Sequence, residues 1–167
     1  MKRSIFAVAV LMYCLLVAIS SNAQQEIIVP KPVKESFGAR FRNSESERWV
    51  KIQTAYVATF KEGDTWRDAY FTEDGEFKGI GKYITVEGLP MFVHEAISTQ
   101  YPNYEVCELY QYESLEDGLC FYARLTSPKH EMIVQLSPSG EVTYSRKTRI
   151  KEAQPSGNDI AINKANQ

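Results

Sequence analysis

One pattern is stated twice along this chain, and that limits its fold more than any other feature. Val33, Phe37 and Phe41 recur sixty positions later as Val93, Ile97 and Tyr101. Tyr56-Val57-Ala58-Thr59-Phe60 recurs sixty-five positions later as Phe121-Tyr122-Ala123-Arg124-Leu125. A period of this size marks one supersecondary unit set down in tandem. The step in offset predicts an insertion in the loop before Leu119.

Each copy opens on a helix. Pro32 suits a first helical turn because its φ is already fixed there, and Val33, Phe37 and Phe41 fall four apart on one stripe. Gly38 weakens that helix, so it should be short. The second runs from Gly88-Leu89-Pro90 through Val93, Ala96, Ile97, Gln100 and Tyr101 to a stop at Pro102-Asn103. The period then changes to two, with aromatic and β-branched residues over Trp49–Gln53, Ala55–Phe60, Trp66–Thr72 and Phe77–Thr85, which predicts antiparallel strands joined by hairpins. Lys61-Glu62-Gly63-Asp64, Glu73-Asp74-Gly75, Ser114-Leu115-Glu116-Asp117-Gly118 and Ser137-Pro138-Ser139-Gly140 supply the turns. The expected architecture is α+β, a tandem repeat of a helix packed on an antiparallel β-sheet. Its expected divisions are an export segment (1–23), a first repeat (24–87), a second repeat (88–151) and a polar flexible tail (152–167).

Alternation assigns the faces of the strands. Tyr56, Ala58, Phe60, Ala69 and Phe71 match Phe121, Ala123, Leu125, Val134 and Leu136, and this shared apolar set belongs under the helices. The other face, open or covering its twin, carries Val57, Thr59, Trp66, Asp68 and Tyr70 in one copy and Cys120, Tyr122, Arg124, Ile133 and Gln135 in the other.

The N-terminus reads as a cleavable secretory signal: basic Met1-Lys2-Arg3, an apolar run from Ile5 to Ile19, and small-x-small Ser21-Asn22-Ala23 before Gln24. The run falls short of the roughly 20 apolar residues that span a bilayer, so no stable membrane insertion is expected after cleavage and the protein should be periplasmic or secreted. Losing Lys2 and Arg3 takes the net charge from −2 to −4, which does not fit nucleic-acid binding. The basic run Arg146-Lys147-Thr148-Arg149-Ile150-Lys151 reads as an edge strand protected by charge.

Little in the chain suggests chemistry. His94 and His130 have no partner His or Cys at ligand spacing, and a zinc site needs three or four protein ligands. No nucleophile elbow, phosphate-cradling glycine loop or carboxylate motif accompanies them. No catalytic residue, metal or cofactor is therefore assigned. Cys107 and Cys120 leave two arrangements open: a disulfide, as export permits, or free thiols, because a tight turn at Glu116-Asp117-Gly118 sets Cys120 near Gln111, four residues along the strand from Cys107. Twenty aromatics, ten of them tyrosine, exceed what the inward set needs. They serve either as cross-strand ladders or as a recognition face. The candidate partner-binding residues are Trp66, Asp68, Tyr70, Tyr122 and Arg124, with Trp66 and Tyr70 expected to point outward beside Asp68.

These motifs resemble the β-lactamase-inhibitor-like family with tandem PepSY-like repeats. The resemblance rests on Pro30 to Phe37 and Pro90 to Ile97, on Tyr56-x-Ala58-x-Phe60, on Ala69-Tyr70-Phe71-x-x-Asp74-Gly75, and on Tyr101-Pro102-Asn103 and Ser139-Gly140, and covers about Val29 to Lys151. Phe41-Arg42 departs from the aromatic-proline step that Tyr101-Pro102 keeps, and Ser137-Pro138-Ser139-Gly140 replaces an acidic turn. The resemblance implies a helix on a three- or four-stranded sheet, duplicated, exported and without a catalytic site. It carries over no residue that contacts an enzyme. The function this supports is an exported, non-enzymatic protein-binding module that uses the open sheet face, with inhibition of a periplasmic or extracellular enzyme as one form of it. The alternative is a periplasmic carrier or sensor of a small ligand.

Overall fold

A computed structural model describes residues 27–150; the expected export segment and polar tail lie outside the described residues. A helix, α1 (Lys31–Arg40), is followed by four strands: β1 (Glu45–Ile52), β2 (Ala55–Glu62), β3 (Thr65–Phe71) and β4 (Phe77–Ile84). After a single 3₁₀ turn (Val86–Gly88) the order comes again as α2 (Met91–Gln100), β5 (Glu105–Ser114), β6 (Gly118–Thr126), β7 (His130–Leu136) and β8 (Val142–Arg149). All eight strands form one antiparallel sheet in sequence order. The second unit does not cover the first; β4 and β5 pair from Gly79↔Ser114 to Ile84↔Leu109, so both lie edge to edge in a continuous sheet.

Both helices start on the same device. Pro30 and Pro90 hold nearly identical extended dihedrals before the first turn, as a proline's fixed φ and missing N–H allow. Both helices are short, and each buries one stripe, Val33 and Phe37 or Val93 and Ile97. Gly75 and Gly140, in the β3–β4 and β7–β8 turns, have positive φ. A Cβ at either would run into the backbone carbonyl of Pro32 or Phe92. Glycine is thus required twice over, for the turn and for the approach of the turn to the helix start.

The helix-covered face divides into two clusters. Under α1, Val33 and Phe37 meet Tyr56, Ala58, Phe60, Ala69 and Phe71. Under α2, Val93 and Ile97 meet Leu109, Phe121, Ala123, Leu125, Val134 and Leu136. The first is rich in rings: Phe37 packs edge-on against Trp49 and Phe60 with centroids 5.2 Å apart, and Phe41 lies 4.7 Å from Phe60. Such pairs add to plain area burial. Both bulge positions also recur, near the start of β1 and β5 and between the last two pairs of β3–β4 and β7–β8.

One expectation is corrected here. The extra residues of the second unit form a longer hairpin, not an inserted loop. β1 ends at Ile52 and β2 begins at Ala55, whereas β5 runs on to Ser114 and β6 begins at Gly118. The added length lets β5 span β4: the Leu115 amide donates to the Lys78 carbonyl at 3.2 Å, and Lys78 Nζ reaches Glu116 Oε1 at 2.6 Å. The hairpin ties the two units together.

Candidate functional site

Opposite the helices, the face is built on two glycines. Gly79 and Gly81 occupy same-face positions on β4, facing Tyr70 and Asp68 on β3 and, on β5, Ser114 and Tyr112. A Cβ on Gly79 would collide with the Tyr112 hydroxyl and the Glu113 carbonyl, and one on Gly81 would enter the Tyr110 ring. Lacking side chains, these positions let Tyr110 and Tyr112 lie down over the strand instead of standing off it.

The rings close into a cluster. Tyr70, Tyr110, Tyr112 and Tyr122, with Ile52, Ala55 and Val57, form a third buried core, against which Cys120 packs. Tyr70 and Tyr112 meet edge to face at 5.3 Å. The Tyr70 and Tyr110 hydroxyls are 2.9 Å apart, and Tyr110 donates to Asp68 Oδ2 at 2.8 Å. Thr59 donates to Asp68 Oδ1 at 2.6 Å. Both oxygens of this half-buried carboxylate therefore have a partner, as removal from water requires. Burial raises the Asp68 pKa and the two donated hydrogen bonds only partly offset it. Burial likewise pushes the Tyr110 hydroxyl well above its ordinary value, and its neighbours Tyr70 and Asp68 add to the shift.

Further along the face the chemistry is ionic. Arg124 on β6 grips Glu108 in a fork, Nε to Oε2 at 3.0 Å and Nη2 to Oε1 at 2.7 Å, and reaches Glu131 Oε1 at 3.2 Å. The Glu108 bond is the main reason its pKa rises.

Among the described residues of this face, the most exposed rings lie toward one end. Trp66 is 46% exposed and Tyr83 55%, against 3% for Tyr70 and Tyr122. Trp66 faces Lys61 and lies two residues from the Asp68↔Gly81 pair on β3 as Tyr83 does on β4, and from Tyr83 a row crosses the sheet through Tyr83↔Tyr110, Tyr110↔Tyr122, Tyr122↔Gln135 and Gln135↔Tyr144. Tyr83 leans edge-on against buried Tyr110, centroids 4.9 Å apart. The Arg48 guanidinium sits 6.0 Å above the Trp66 ring.

All five expected partner-binding residues do share this face, but they are not equally available. Trp66 is exposed. Tyr70 and Tyr122 are buried in the ring cluster, which corrects the expectation that Tyr70 points outward. Asp68 and Arg124 are half-buried and held by internal partners. Alternation identifies the face a side chain is on, but not what lies over it. Sequence reasoning missed Tyr83, Tyr110 and Arg48; the signal was Gly79-x-Gly81 in one strand beside Tyr110-x-Tyr112 in the next.

The disulfide alternative is also corrected. Cys107 and Cys120 are both free, and Cys120 faces Tyr112, far along β5 from the bulge that holds Cys107. Burial raises the Cys120 pKa, so its reactive thiolate form is disfavoured. His94 stands on α2 and His130 opens β7. Among the described residues no group of three or more His, Cys, Asp or Glu side chains is arranged to hold a metal. A cleft of about 320 Å³ lies on the helix side, lined by Val86, Leu89, His94, Ile97, Tyr101 and Tyr104 among others. No described helix is long and apolar enough to cross a membrane.

This arrangement of helices and sheet is shared with solved proteins. A BLIP-like protein from Bacteroides fragilis superposes with a TM-score of 0.66 at 14% identity, over 80% of this chain and 97% of that one. The fold is BLIP-like. A DUF2874 family protein from Bacteroides ovatus gives 0.67 at 15% identity over 72% and 89%, and a candidate periplasmic protein from Bacteroides eggerthii 0.67 at 18% over 72% and 90%. No family model and no curated protein matches the sequence. At these identities the likeness is one of fold.

Proposed function

We propose that this protein is an exported, non-enzymatic protein-binding module of the periplasm or cell exterior, and that it binds through the helix-free face. One observation carries the reading. Between the two units, equivalent positions keep their character on the helix-covered face and lose it on the other. Tyr56/Phe121, Ala58/Ala123, Phe60/Leu125, Ala69/Val134 and Phe71/Leu136 are all apolar, whereas Thr59/Arg124, Trp66/Glu131, Asp68/Ile133 and Gly81/Arg146 differ in size, charge or both. Folding explains the first set; in the second, internal packing accounts for Thr59, Asp68, Gly81 and Arg124, and the exposed indole at Trp66 is the exchange it leaves over. The helix-free face also holds the exposed, pre-positioned rings that suit an interface centre. Duplication of one PepSY-like unit is part of this reading, and the export signature and the candidate periplasmic neighbour support its location. Inhibition of an enzyme is the specific form suggested by the BLIP-like fold.

The test is capture from native envelope and culture-supernatant extracts by the protein and by its Trp66→Ala/Tyr83→Ala variant. A partner held only by the unmodified face supports the reading; equal retention by both, or none by either, overturns it. A stable complex should bury about 800 Å² on each side. The helix-side cleft favours a second reading, a carrier of a small apolar ligand. A tyrosine or tryptophan fluorescence change with small-molecule extracts, but not with protein fractions, would mark it.

A further inference from the structure

We propose that the Trp66 end of the helix-free face takes an acidic segment of a partner protein, a carboxylate seating on Arg48 while a neighbouring apolar or aromatic side chain packs on Trp66 and Tyr83. This rests on the binding function proposed above and names the chemistry of the partner.

The two units suggest it when they are laid over each other. In the second, Glu108 faces Arg124 across β5–β6, and Glu131 from β7 completes the cation's coordination. The corresponding pair in the first is Arg48↔Thr59 across β1–β2. The position equivalent to Glu131 is Trp66. Here the cation has moved to the outer strand, and both of the carboxylates that would hold it have been replaced. Thr59 offers Arg48 no charge and spends its hydroxyl proton on Asp68. Among the described residues no carboxylate stands within ion-pair distance of Arg48; its contact is the face of Trp66. Arg48 is exposed on the edge strand, so a ligand reaches it from solvent.

A guanidinium at this distance over an indole is weakly attracted to the ring face, and its N–H groups remain open to an acceptor. Planar, forked and weakly hydrated, it pairs with carboxylates in two-point contact. Lys61, opposite Trp66, adds positive potential, reduced by its own pairing with Asp64 at 3.5 Å. The apolar share of the contact falls to Tyr83, which buried Tyr110 backs, and to the exposed Trp66 indole. An acid beside an aromatic or aliphatic residue is the ligand complementary to both parts.

The experiment is selection of a displayed library of random short peptides on the purified protein, with the recovered peptides measured against Arg48→Glu, Arg48→Lys and Trp66→Ala variants whose thermal midpoints match the unmodified protein. The expected result is enrichment of Asp or Glu next to an aromatic or aliphatic residue. Affinity should fall about tenfold or more in Arg48→Glu and in Trp66→Ala, and less in Arg48→Lys. It should weaken as salt rises. Peptides without an acid, peptides that bind Arg48→Glu equally well, or no enrichment would overturn the proposal. So would self-association of the protein that Arg48→Glu abolishes, since the occupant would then be a second copy. Should extracts yield a partner that needs Trp66 and Tyr83 while acidic peptides are not enriched, the binding face stands and only its proposed chemistry falls.

Discussion

The two units use one frame for different surfaces. Under the helices the first core is built from rings, with Trp49, Phe60, Phe71 and Phe77, where the second has Leu109, Leu125, Leu136 and Val142. These exchanges leave the backbone alike, down to the Pro30 and Pro90 caps and the Gly75 and Gly140 turns. On the helix-free face the exchanges are of another kind: a half-buried carboxylate for isoleucine at Asp68/Ile133, an exposed indole for a paired carboxylate at Trp66/Glu131, glycine for tyrosine at Gly79/Tyr144. A core tolerates any apolar filling of suitable volume. The other face varies in charge and shape as well, both where its third core packs and where Trp66 meets solvent.

The sharpest way to break this comparison is at the rings themselves. Tyr70→Ala removes a buried ring from the cluster and should cost about 3 kcal/mol or more, whereas Trp66→Ala, on the same strand and face, should change stability by less than about 1 kcal/mol; urea unfolding of both variants gives the two numbers. Next in size is Gly81→Ala, at roughly 1–3 kcal/mol, because the new methyl meets the Tyr110 ring. The equivalent Arg146 already carries a long side chain, so Arg146→Ala introduces no clash and should be far milder by the same assay. Arg124→Ala leaves Glu108 and Glu131 facing each other; with these side chains still about 28–29% exposed, the loss should be about 1–2 kcal/mol and should shrink in high salt. The smallest effect concerns pH. Burial holds the Asp68 pKa above its unfolded value, so its contribution is fully present below the ordinary carboxylate range and is lost as pH rises through the elevated folded pKa. Asp68→Asn should remove that part of the pH dependence and leave the protein at least as stable at neutral pH, as read from thermal midpoints across an acid-to-neutral series.

Much of the frame was legible in the residues. Alternation placed Tyr56, Ala58, Phe60 and their equivalents under the helices, and the turn glycines fell where positive φ was needed. Two matters were hidden because they depend on neighbours distant in sequence. Tyr70 and Tyr122 look like surface aromatics until the bare Gly79-Gly81 strip brings Tyr110 and Tyr112 across to cover that part of the sheet. The cysteine question turned on register: a tight hairpin end at Gly118 sets Cys120 opposite Tyr112 and leaves Cys107 at the far bulge.

The most direct test gives the first unit the second unit's surface. Arg48→Glu/Trp66→Glu/Tyr83→Thr copies Glu108, Glu131 and Thr148 onto the equivalent positions, and the measurement is capture of the partner from envelope extracts by this variant beside the unmodified protein. The account predicts a cooperatively folded variant with a nearly unchanged thermal midpoint that no longer retains the partner. Undiminished capture, or collapse of the fold, would contradict the assignment of this end of the sheet to recognition.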